Sequence, residues 1–100
     1  MKNSDDFFDG DITAAATLMK MLASEARLQI LCRLAEGERS VGDLAQACGV
    51  SQPTMSQQLP RLRKADLVEG RRAGQTIYYR IKGAEVAAVL ETLHRLYCAR

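Results

Sequence analysis

The chain holds three cysteines, Cys32, Cys48 and Cys98, and one histidine, His94. These are the side chains that could carry redox or metal chemistry. A thiol acts as a nucleophile or ligand only as its thiolate. Arg95 and Arg100 favour that form at Cys98. Cys32 and Cys98 both sit near expected helix C-termini, whose dipole opposes it. Cys32 also falls on an apolar stripe with Leu28, Leu31 and Ala35, where cysteine serves equally well as a small buried hydrophobe. Cys48 ends a short helix and reads as packing. With no Cys-x-x-Cys or βαβ pattern, a thiol oxidoreductase has no support, and no other constellation suggests an enzyme. A metal site needs several converging ligands, commonly four for zinc. His94 has only Glu91 and Glu85 near it on its helix, and a lone helical histidine is more often a surface or interface residue. No cofactor is implied. A dimer would supply His94 and Glu91 twice, which leaves a metal-responsive protein with a last-helix site as the alternative reading.

A second constellation suits recognition rather than reaction. Ser51, Gln52, Thr54, Ser56, Gln57 and Gln58 offer donors and acceptors of the kind that read base edges. Arg61 and Lys64 follow and suit phosphate or guanine. Arg71 and Arg72 come after them in a Gly- and Arg-rich stretch. The formal net charge is only +2, but residues 1–50 carry a net −3 and residues 51–100 a net +5. The excess lies between Arg61 and Lys82, and such polarity suits a polyanion on one side.

The elements that must position these residues follow from periodicity and caps. Residues 1–11, with four Asp and two Phe, read as a flexible acidic arm, and 12–100 as one domain. Ala15, Leu18, Met19 and Leu22 mark a first helix. Ser24 caps a second, with Leu28, Leu31, Cys32 and Ala35 on its stripe and Ile30 and Leu34 widening it; Gly37 ends it. Ser40 and Asp43 open a short third helix, Val41 to Cys48, which Gly49 breaks. Ser51 caps a fourth, with Met55, Leu59 and Leu62 facing inward and Gln57, Pro60, Arg61 and Lys64 outward. Pro60 deletes a helical bond to the Ser56 carbonyl and is expected to kink this helix.

Leu67–Glu69 and Thr76–Ile81 read as strands, with Gly70–Gln75 as the loop of a hairpin and Arg71 and Arg72 near its tip. A last helix spans Ala84–Tyr97, with Val86, Val89, Leu90, Leu93 and Tyr97 on its stripe. Two short helices joined by Gly49-Val50, the second starting in polar residues and followed by a basic hairpin, form a winged helix-turn-helix. The class is mainly α with a β-hairpin: four helices, the hairpin, and a fifth helix.

Length and composition narrow the classes. One hundred residues with 47% hydrophobic content make one small domain. Three cysteines are too few and too odd in number for a secreted disulfide scaffold. No apolar run has signal-peptide or membrane-span length. The expectation is a cytoplasmic protein without a membrane partner. A protein-binding winged helix without DNA activity is the reading that operator binding would exclude.

The stretch SVGDLAQACGVSQPTMSQQLPRLRKADLVEGRRAGQTIYYRI resembles the winged-helix core of the ArsR/SmtB repressor family, and the likeness extends over about Leu18 to Cys98. Asp66 stands where that family usually has the Gly that ends the recognition helix. The resemblance implies a homodimer built on the first and last helices. It also implies binding to double-stranded DNA at an inverted-repeat operator, and release by an inducer. Its arsenic and cadmium sensors carry Cys-x-Cys, whereas Cys32 here is followed by Arg33 and Leu34. The pairing of Cys32, in Arg-Leu-Gln-Ile-Leu-Cys, with Cys98, in Leu-His-Arg-Leu-Tyr-Cys, is similar to the dithiol subgroup of BigR, SqrR and HlyU type. By that likeness Cys32 and Cys98 are sensing thiols. Reactive sulfur species (persulfide or polysulfide) or oxidants link them, and DNA is released.

Overall fold

A computed structural model describes residues 8–98. Five helices and three short strands follow in the order α1 (Ile12–Leu22), α2 (Glu25–Ala35), β1 (Arg39–Ser40), α3 (Val41–Cys48), α4 (Gln52–Lys64), β2 (Val68–Ala73), β3 (Thr76–Ile81) and α5 (Ala84–Tyr97). Most of the expected acidic arm lies outside the described residues. Its last member belongs to the domain, because Asp11 caps α1 by accepting a bond from the Ala14 N–H at 2.9 Å. Ser24, Ser40 and Ser51 cap α2, α3 and α4 in the same way, each accepting from the N–H three residues on.

The helix ends are equally local. Gly49 leaves α3 in the left-handed region at φ 70°, and its N–H and that of Val50 close the turn onto Gln46 and Ala45. Asp66 does for α4 what Gly49 does for α3. At φ 66° it is the only non-glycine with positive φ among the described residues. Its N–H donates to the Arg63 carbonyl at 2.9 Å, and that of Leu67 to the Leu62 carbonyl at 3.0 Å. Leu62 and Leu67 are both buried, which supplies the apolar contact that accompanies this kind of helix end.

Helix α4 runs through Pro60 as one helical segment. Its inner face, Met55, Leu59 and Leu62, is almost wholly buried, whereas Pro60 and Ser56 are exposed. The carbonyl that Pro60 leaves without a helical partner is therefore on the solvent side, where leaving it unpaired costs least. Strand β2 continues through Gly70–Ala73, which reads as loop from its polar composition. The turn is only Gly74-Gln75, with Gly74 at φ 66°. Finally, Arg39–Ser40 adds a strand to the hairpin and makes an antiparallel sheet of order β1-β3-β2. Tyr79 faces Arg39 on one side and Gly70 on the other, and Tyr78 faces Ser40 and Arg71. Gly70 gives the Tyr79 ring room there, since a Cβ would lie 3.0 Å from the ring and the ring would have to give way.

The core joins Leu22 of α1, Ile30, Leu31 and Leu34 of α2, Leu44 and Ala45 of α3, the inner face of α4, Leu67, Val68, Tyr79, and Val86 and Leu90 of α5. The α2 stripe is thus turned towards Ile30, Leu31 and Leu34, which leaves Cys32 exposed at its edge. Arg27 of α2 ties down α1: its Nε donates to the Met21 carbonyl at 2.9 Å and Nη2 to that of Lys20 at 3.3 Å.

Candidate functional site: a recognition helix, a wing and a thiol groove

Caps and inner-face leucines fix which side chains α4 offers to solvent. Gln52, Thr54, Ser56, Gln57 and Arg61 are exposed along it. Ser51 and Thr54 are partly occupied by the cap. The Ser51 hydroxyl accepts from the Thr54 N–H at 3.2 Å and donates to the Thr54 hydroxyl at 2.9 Å, so Ser51 sets the helix start. Gln58 is half-buried and points the other way. Its Oε1 is buried with no hydrogen-bond partner, beside a small gap of about 30 Å³ between α2 and α4 that Cys48 also borders. Sequence spacing put Gln58 at the edge of the outer face, and contact with α2 draws it inward.

The basic stretch divides into paired and unpaired cations. Arg71 is bound by Glu38, Arg80 Nε by Glu69 at 2.7 Å, and Lys82 Nζ by Asp66 at 2.7 Å. Arg61, Arg63, Lys64 and Arg72 are exposed and have no ion-pair partner among the described residues. Unpaired positive charge is therefore concentrated on the C-terminal half of α4 and at the wing.

Away from the outward face of α4, helices α1, α2 and α5 border an open, mainly apolar groove of about 1490 Å³. Cys32 and Cys98 both line it, with Leu28, Leu93 and Tyr97. Both thiols are exposed, and they are close enough for a charge on one to be felt at the other. Burial is the main cause that pushes the Cys32 thiol up. A thiolate at Cys98 and the carboxylate of Glu36 add to it, and Arg33 opposes them. Cys48 is half-buried against the core, and burial likewise pushes its thiol up, which agrees with a packing role. Glu91 and His94 line the same groove, and Glu91 lies 3.9 Å from Arg95 Nη1. Among the described residues, no three His, Cys, Asp or Glu side chains gather into a group able to hold a metal ion. No described helix is long and apolar enough to cross a membrane.

Comparison with known proteins matches this architecture. Residues 24–70 fit the family described as bacterial regulatory protein, arsR family. The transcriptional activator HlyU of Vibrio cholerae is 48% identical over 84 residues, which span 84% of this chain and 78% of that protein. A solved structure of HlyU from Vibrio cholerae superposes with a TM-score of 0.86 at 44% identity, covering 91% of this chain and 99% of the other. The crystal structure of the transcriptional repressor BigR from Xylella fastidiosa gives 0.83 at 43% identity, over 89% of this chain and 91% of that one. The family match stops short of α1 and α5, whereas the structural likenesses cover about nine-tenths of the chain. The chain belongs to the arsR family of bacterial regulatory proteins and is a winged helix-turn-helix transcriptional regulator, not an enzyme.

Proposed function

We propose that the protein is a homodimeric repressor of the cytoplasm. It binds an inverted-repeat operator while Cys32 and Cys98 are reduced, and releases it when persulfide, polysulfide or oxidant links them. The observation that carries this reading is the placement of both thiols, exposed, on one groove. The outward side chains of α4 (Gln52, Thr54, Ser56, Gln57 and Arg61) read the major groove, and the wing, which carries Arg71 and Arg72, engages the backbone chiefly through the unpaired Arg72.

Linkage with a persulfide balances without a further reagent. One thiolate takes the outer sulfur of a persulfide and expels a thiol. The other thiolate then attacks the sulfur attached to the first cysteine, forming the disulfide and releasing hydrosulfide. A bridge between α2 and α5 would shift α5, and half-site spacing is sensitive to how the two recognition helices are set.

The test is peptide mass spectrometry after treatment with glutathione persulfide, peroxide or a disulfide, run beside operator binding. A Cys32–Cys98 bridge that forms as DNA is released is the expected result: a disulfide with release of hydrosulfide when one cysteine takes the sulfur, or a trisulfide when both do and the outer sulfur of one displaces hydrosulfide from the other. Undiminished release in Cys32→Ser or Cys98→Ser protein overturns the reading.

A further inference from the structure

Among the cations of the winged half, Arg71 is held differently from the rest. Its Nε donates to Glu38 Oε2 at 2.9 Å and its Nη2 to Glu38 Oε1 at 2.8 Å, a two-bonded fork. The guanidinium also lies 4.9 Å from the centroid of the Tyr78 ring, its cross-strand neighbour on β3. Arg71 thus starts from β2, crosses β3 over Tyr78, and ends on the residue just before β1. The side chain stays open to solvent, at 57% exposed for Arg71 against 29% for Glu38. The Arg80 and Lys82 pairs lack the fork, and Arg61, Lys64 and Arg72 have no ion-pair partner among the described residues.

We propose that Glu38 sets the DNA affinity of the wing by competing with phosphate for Arg71. A phosphate and a carboxylate present the same paired oxygens to a guanidinium fork. With Glu38 in place, a phosphate nearing Arg71 meets a neutral pair rather than a cation, with a carboxylate beside it. The Arg71 guanidinium holds the Glu38 carboxyl below the usual carboxylate range, so the pair is fully charged at neutral pH. Arg71 therefore contributes little to duplex binding in the natural protein, and the unpaired Arg72 carries the wing's contact. The interaction does not depend on base sequence, so a generic duplex measures it.

The inference rests on the DNA-binding reading and is tested by the salt dependence of full-chain binding to a generic-sequence duplex, followed by fluorescence anisotropy. One added phosphate contact steepens the slope of log affinity against log salt by about 0.9, and changes the ratio of affinities between about 50 and 200 mM salt about threefold. Glu38→Gln, which keeps the shape and one hydrogen bond, should gain that increment per protomer and bind more tightly at low salt. The double variant Glu38→Gln with Arg71→Ala, which removes both charges, should lose that gain and return to nearly the natural slope. An unchanged or shallower slope in Glu38→Gln, or a slope about one contact below the natural one in the double variant, overturns the inference while leaving DNA binding intact. Absence of salt-dependent binding in every variant, the natural protein included, overturns both.

Discussion

Cys32 shows how much a single side chain owes to its surroundings. Burial first, then a thiolate at Cys98, then Glu36, keep its proton on, and Arg33 only partly offsets them. A folded-state pKa raised above the unfolded value favours the protonated native form. The associated stability is present below the ordinary thiol range and is lost as pH rises through the raised value. The reactive fraction runs the other way, because alkylation follows the thiolate. Iodoacetamide labelling of Cys32, followed site by site by mass spectrometry across a pH series, should therefore have a midpoint above that of a free cysteine. Cys98→Ser should lower that midpoint by removing the neighbouring thiolate. A midpoint at or below the free-cysteine value would contradict the groove as described. The same reasoning makes Cys32 a slow nucleophile at neutral pH.

At the scale of elements, the turn from α4 into β2 is where local chemistry is least relaxed. A left-handed residue with a Cβ costs about 1–2 kcal/mol, less for Asp than for most, and glycine pays no such steric cost. Asp66 recovers a little through its exposed pair with Lys82, and exposed pairs are worth little. Asp66→Gly should stabilise the domain by about 0.5 kcal/mol, a rise in Tm of about 2–4 °C in a thermal melt. A fall would mean that the Lys82 pair outweighs the strain.

The helices were legible because their signals are local. Ser24, Ser40 and Ser51 cap them, Met55, Leu59 and Leu62 recur at helical spacing, and Gly49 stops α3. What stayed hidden is non-local. Arg39–Ser40 has no strand pattern of its own and becomes one only because Tyr78 and Tyr79, far along the chain, offer it a ladder. Gly70–Ala73 is polar because it lies in an exposed hairpin, so its composition resembles a loop although its backbone is paired. Of the site, the outward face of α4 followed from helical spacing. The inward turn of Gln58 and the capture of Arg71 by Glu38 depend on neighbours from other elements.

At the scale of the molecule, the described chain is extended for its size. Its radius of gyration is 15.3 Å, against about 13 Å for a compact domain of this length. The large apolar side chains it exposes include Ile12 and Met19 on α1 and Leu96 and Tyr97 on α5, the last two at 70% and 77%. These are the helices that border the thiol groove and that the proposed dimer would use. In a two-fold interface each substitution acts twice. Leu96→Glu would remove two leucine contacts, about 3–6 kcal/mol by burial alone, and raise the dimer dissociation constant by about a hundredfold or more. Sedimentation velocity across a concentration series should show the natural chain as a dimer and the variant shifted towards monomer. Duplex binding should then lose roughly half its salt slope, because one protomer presents half the phosphate contacts. A variant that stays dimeric with an unchanged slope would place the interface away from α5. A Cys32–Cys98 bridge would then have no direct route to the spacing of the recognition helices.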